Sequence, residues 1–188
     1  MKEIATPSQT VGPFFHIGLE HIAVSNLAAG VPGEKIEIMG RVLDGDRQPV
    51  IDALVEIWQA NSLGKYAPAE DIQSKPLQAN FTGYGRIATG ANGAFRFTTI
   101  KPGPVQEGDS NSQAPHIAVN VFMRGLLKHL VTRIYFPDEP SNHNDPILNS
   151  VPVERRSTLV AQIAGSDPTL LTWDVVLQGK HETVFFDC

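Results

Sequence analysis
The chain has 188 residues, 41% hydrophobic and 19% charged, with a formal net charge of −5 and a single cysteine. That length suits one domain that buries its core without disulfides, the composition is that of an ordinary soluble globular protein, and the acidic balance excludes a broad nucleic-acid surface, which needs clustered Lys and Arg. It also excludes general attraction of an anionic substrate, so an anion would have to be recognised by a local arginine.

Cys188 rules out an intrachain disulfide, fits a reducing cytoplasm and has no adjacent base to make it a nucleophile. The opening MKEIATPSQTVGPFF lacks a signal-peptide core, and no apolar run nears the roughly 20 residues that span a bilayer, so neither secretion nor a membrane partner is expected.

Residues 1–34 read as an arm and loop. Pro7 and Pro13 bracket SQTVG, and the adjacent Phe14 and Phe15 favour an arm tied onto the body over a loose tail. From Lys35 the pattern turns to β. KIEIMGRVLD alternates, DGDRQP supplies a turn and VIDALVEIW follows, which predicts a hairpin. Asn61 to Asn80 is a long polar loop carrying Tyr66, of the kind that serves function or an interface. YGRIATGANGAFRFTTI predicts a second hairpin around Asn92-Gly93.

The stretch from Lys101 to Arg124 runs from a Pro/Gly turn into a strand. Ile117, Val119, Val121 and Met123 share its core face, and His116, Ala118, Asn120 and Phe122 share the other. A second histidine two residues after His116 could grip a metal with it, but Ala118 stands there. In the next strand, HLVTRIYF, the cation Arg133 is either solvated or part of a pocket. VERRSTLVAQIAG carries the one persuasive helical period, with Val153, Leu159, Val160 and Ile163 inward. LLTWDVVLQGKHETVFF predicts two strands around Gly179-Lys180. His16, His21, His129, His143 and His181 show no paired ligand spacing and read as surface or satisfied histidines. Together these elements predict an all-β protein: an antiparallel two-sheet β-sandwich over residues 35–188, with long loops and one short helix near 151–164. No Gly-rich phosphate loop is present.

IMGRVLDGDRQPVIDALVEIWQANSLGKY resembles the signature region of the intradiol ring-cleavage dioxygenases, and GYGRIAT, FRFTTIKPGP and APHI continue the resemblance in order. Within that family, TPSQTVGPF, HLVTRIYF and ETVFFD look like the alpha-type chain of its two-chain enzymes. The resemblance implies that the homologous beta-type chain binds Fe(III) through two tyrosinates and two histidines, hard donors suited to that ion. Tyr66 matches the first tyrosine and His116 the first histidine. The second tyrosine position is Val105, the second histidine position is Ala118, and an arginine of active-type chains is Gln113. The resemblance therefore implies no metal and no catalytic residue in this chain, with His116 a hydrogen-bonded structural histidine and Tyr66 a packing or interface residue.

It further implies a cytoplasmic hetero-oligomer with the beta chain, acting with O2 on a small aromatic substrate that bears two adjacent hydroxyls and a carboxylate. Thr10, Gly12, Pro13 and Arg133 would line the shared pocket. Glycine lets the backbone approach a flat ring, and proline fixes the chain beside it. The rival expectation is a non-catalytic ligand-binding or carrier module on the same scaffold. A single-chain dioxygenase with unusual ligands is disfavoured by Val105 and Ala118.

Overall fold
A computed structural model describes residues 5–107 and 111–187; the expectations attached to Cys188 lie outside them. The alternating stretch Lys35–Leu43 forms β1, burying Ile36, Ile38 and Val42. One edge of β1 pairs antiparallel with β4 (Ala94–Ile100). Its other edge pairs in parallel with β10 (Leu170–Thr172) and then with β11 (Val175–Val176), and β9 (Gln162–Ile163) adds to β10 antiparallel. The change of partner falls at Gly40, where a Cβ would sit 1.8 Å from the Trp173 carbonyl oxygen. Just beyond, the Asp174 carboxylate accepts the Arg41 N–H at 2.9 Å. Gly40→Ala is therefore expected to part β1 from β10 and to cost about 1–3 kcal/mol or more through overpacking, read as a lowered denaturant midpoint.

The second large sheet is antiparallel, in the order β3 (Tyr84–Ala88), β2 (Leu54–Trp58), β7 (His116–Phe122) and β8 (Leu130–Tyr135). A ribbon of β5 (Val105–Glu107) and β6 (Asn111–Gln113) stands apart. Ile38, Phe95 and Phe97 of the first sheet and Val55, Ile57, Val119 and Val121 of the second belong to one apolar core. The alternation along β7 puts Val119 and Val121 in that core and turns Ala118, Asn120 and Phe122 outward.

The protein is mostly β, but several expectations are corrected. The parallel pairing of β1 with β10 and β11 makes the first sheet mixed rather than antiparallel. Neither expected hairpin forms a ladder among the described residues, because β1 and β4 lie in one sheet and β2 and β3 in the other. The turns themselves are present. Asp44 accepts the N–H groups of Asp46 and Gln48, and Gly93 takes φ +71° beside an Asn92 side chain that accepts from Ala94. They carry the chain between sheets, and strands covered on both faces give no signal that separates the two outcomes.

The helix expected near 151–164 is a 3₁₀ segment, Val153–Leu159, that gives way to β9. Val153 is 74% exposed, so the apolar period there has no single buried face. Helices α1 (Pro13–Ile17) and α2 (Pro146–Ser150) each begin at a proline, whose fixed φ suits a first turn. After Gly179-Lys180 no ladder forms among the described residues, only a bridge from Phe186 to Val131.

In the arm, Phe15 packs on Phe122 with ring centroids 5.1 Å apart, whereas Phe14 is 81% exposed rather than tied down. The loop after it is fixed to both sheets, with Val24 bridging Arg86 and Asn26 bridging Thr98.

Candidate functional site
Directly paired residues on neighbouring strands share a face. The register of the four-stranded sheet therefore lays His116 beside Tyr135, and Ala118 between Trp58 and Arg133, on the face opposite the core. Tyr66 reaches this face from the loop after β2. Its ring stacks on Trp58 at 5.9 Å and 8°, and its backbone N–H is held by Asp71 at 2.8 Å.

The Tyr66 hydroxyl lies 3.4 Å from His116 Nε2, and His116 Nδ1 lies 2.8 Å from the Ala114 carbonyl. A carbonyl only accepts, so Nδ1 carries the proton and Nε2 offers its lone pair to the tyrosine. His116 is 2% exposed. Burial, and then the nearby Arg133 cation, lower its pKa from 6.5 to about 4. Burial also raises that of Tyr66, opposed by Arg133 and assisted by Asp71. Both partners are neutral at pH 7.

Arg133 is half-buried, and its Nη1 donates to Gln113 Oε1 at 2.8 Å. Gln113 pairs across the ribbon with Val105, just as Arg133 pairs across the sheet with Ala118. Thus a guanidinium–amide pair is anchored opposite both positions that lack a donor atom. Behind it, Tyr135 donates to Asp145 at 3.0 Å, and burial raises the Tyr135 pKa far above the ordinary phenol range. Asp145 also accepts the N–H groups of Ala114 and Leu148, each at 2.7 Å, so one buried carboxylate caps α2 and fixes the turn that presents His116.

This donor set does not fit a ferric ion. Tyr66 and His116 are bonded to each other, the two further positions are aliphatic, and the neighbouring group is a cation. Among the described residues no cluster of three His, Cys, Asp or Glu is arranged to hold a metal.

A second locality lies at the far end of β7. Thr10 Oγ1 accepts the Gly125 N–H at 2.7 Å, and Phe122 stacks between Phe15 and His129, with centroids 5.1 Å from each. Val11, Gly12, Phe15, Ile51, Asp52 and Arg124 line a groove of about 230 Å³ there. A Cβ at Gly12 would meet nothing within 4 Å, so its backbone faces open space. Pro13 begins α1 directly behind it.

Arg124 pairs with Asp52 through Nε, and its side chain is 60% exposed. The sequence groups Arg133 with Thr10, Gly12 and Pro13; in the fold Arg133 sits across from Ala118, while Gly12 lines a groove with Arg124. Ala118, the partner of Arg133, and Arg124 are six positions apart, up to roughly 20 Å along an extended chain. The arm meets Arg124 instead. The signal that could have found it is a cation two residues after a strand whose last outward residue is the aromatic Phe122.

Residues 12–179 match a family model described as Dioxygenase. The chain is 42% identical, over 97% of its own length and 96% of the relative's, to the protocatechuate 3,4-dioxygenase alpha chain of Burkholderia cepacia. It is 39% identical to the beta chain of that enzyme from the same organism, over 94% of this chain and 77% of that one. Its fold is similar to the dioxygenase domain of a dioxygenase carbohydrate-binding protein fusion from Streptomyces sp. SirexAA-E, with TM-score 0.63 and 27% identity over 86% of this chain and 89% of that chain.

Proposed function
This chain belongs to the intradiol ring-cleavage dioxygenase family, and from that premise we propose that it is the alpha-type, iron-free subunit of a cytoplasmic protocatechuate 3,4-dioxygenase. The overall reaction would add O2 across the bond between the two hydroxyl-bearing carbons of 3,4-dihydroxybenzoate, giving 3-carboxy-cis,cis-muconate, with Fe(III) held by a homologous beta chain. The observation that supports this reading is the pairing of Arg133 and Gln113 opposite Ala118 and Val105, a cation and an amide where an iron site would need two further donors. Relatives that are dioxygenase chains over nearly the full length weigh against a mere carrier module.

Large apolar side chains stand exposed in the two segments nominated for the interface: Phe14 and Ile17 in the 1–34 arm, and Ile72 (95%) and Leu77 in the loop around Tyr66. A partner covering them would bury more than about 2,000 Å², as obligate interfaces do. Co-expression with the beta chain is expected to give a stable complex with iron and ring cleavage, and expression alone neither. Iron bound stoichiometrically by this chain alone would overturn the proposal.

In the complex, Thr10, Gly12 and Pro13 would wall the substrate pocket, and Arg124 is the better-placed cation for the carboxylate, since it lines a groove with Gly12. Arg124→Gln is expected to lower kcat/KM roughly ten- to a hundredfold, the worth of one charge-assisted hydrogen bond at about 1.5–3 kcal/mol, with iron content unchanged. Arg133→His, assayed in parallel, tests the other arginine. A loss of the same size there with Arg124→Gln silent would return substrate seating to Arg133.

A further inference from the structure
We propose that Arg133 is a resident cation that stands in for the metal in this chain and keeps ferric ion out even when the missing donor atoms are restored. The proposal rests on the family reading only for which four positions are ligand positions. Everything else is local geometry. The β7–β8 register places Arg133 directly across from Ala118, so a histidine introduced at 118 would point along the same face into the guanidinium. The guanidinium is anchored by Gln113, whose strand partner is Val105, so a tyrosine introduced at 105 would enter beside that same pair.

The anchored group bears a charge that no accessible pH removes, because guanidinium does not lose its proton in a protein. Two positions along on the same face, Tyr135 pairs with His116, so the charge sits beside the retained histidine. A trivalent ion beside it would meet direct like-charge repulsion, and the Tyr66–His116 hydrogen bond would have to break as well. The chain thus lacks two ligands and carries an internal like charge, so restoring the ligands does not restore the site.

The experiment uses the complex with the beta chain and counts iron per alpha–beta pair, together with the visible tyrosinate-to-iron absorption. The double variant Val105→Tyr/Ala118→His is expected to carry the same iron as the unmodified complex. Adding Arg133→Met should double the iron and the visible band, whereas adding Arg133→Lys, which keeps a positive charge, should not. Arg133→Gln serves as a second neutral replacement that retains a hydrogen-bonding group toward Gln113, in case methionine disturbs assembly. A second iron in the double variant with Arg133 in place would overturn the proposal, as would its absence from both neutral triple variants when they assemble normally. An unmodified complex without any iron would instead defeat the subunit assignment, so the two failures are distinguishable.

Discussion

Replacing Asp145 with alanine is expected to cost this chain on the order of 3–9 kcal/mol, because it strands three buried donors at about 1–3 kcal/mol each. The side chain is fully buried and accepts the Ala114 N–H, the Leu148 N–H and the Tyr135 hydroxyl. Tyr135 and Leu148, both bonded to it, belong to one buried apolar cluster, so the stranded donors lie away from solvent. Against a total stability of about 5–15 kcal/mol for a typical domain, the variant should be poorly folded at 37 °C and show a collapsed denaturant midpoint. Asp145→Asn keeps the shape but turns an amide N–H toward one of the donors, so it should fall between the two. The loss also reaches the outer face, since the Ala114 segment that Asp145 holds supplies the carbonyl that orients His116. An alanine variant within 1 kcal/mol of the parent would show that the three bonds are not what holds this region.

Asp145 was legible in part: an Asp-Pro step before an apolar pair is a helix N-terminus signal. The surrounding PDEPSNHNDP instead reads as a polar loop, and nothing local reveals that its carboxylate reaches 31 residues back to Ala114. The same division holds elsewhere. Strand positions follow from period-2 alternation, so β1, β2, β7 and β8 fall where the pattern puts them, and the deficit at Val105 and Ala118 can be read directly from residue type. Pairing is another matter. The tight turns at Asp44 and Asn92 look like hairpins because turn chemistry is local, whereas the choice between closing a ladder and crossing to another sheet is made by core burial that distant strands complete. The parallel alignment of β1 with β10 depends on Gly40 lying against Trp173, 133 positions later in the chain, and no sequence window contains both. The placement of Arg133 across from Ala118 and the meeting of Gly125 with Thr10 are likewise consequences of register.

Stability should fall steeply between about pH 6.5 and pH 4, and His116 is the group responsible. Its pKa is lowered from 6.5 to about 4 in the folded chain, first by burial and then by Arg133, with the Ala114 carbonyl and Asp145 partly opposing. In that interval the unfolded chain binds a proton at this imidazole that the folded chain refuses, so the unfolded state gains with each step of acidification. The contribution is fully present above pH 6.5 and is gone below about pH 4, with a total on the order of 3 kcal/mol at 1.36 kcal/mol for each tenfold difference in proton affinity. Solvent screening does not reduce it much, because the ring is 2% exposed. Protonation would also place an imidazolium beside the Arg133 guanidinium and convert Nε2 from acceptor to donor, breaking the bond from Tyr66. Denaturant midpoints of the complex at pH 7, 5.5 and 4 should decline accordingly. In His116→Gln, which cannot take up the proton, the curve should be shallower by that amount even though the variant is weaker at pH 7. Equal slopes in parent and variant would assign the acid sensitivity to other groups and would mean that His116 is not held neutral by its surroundings.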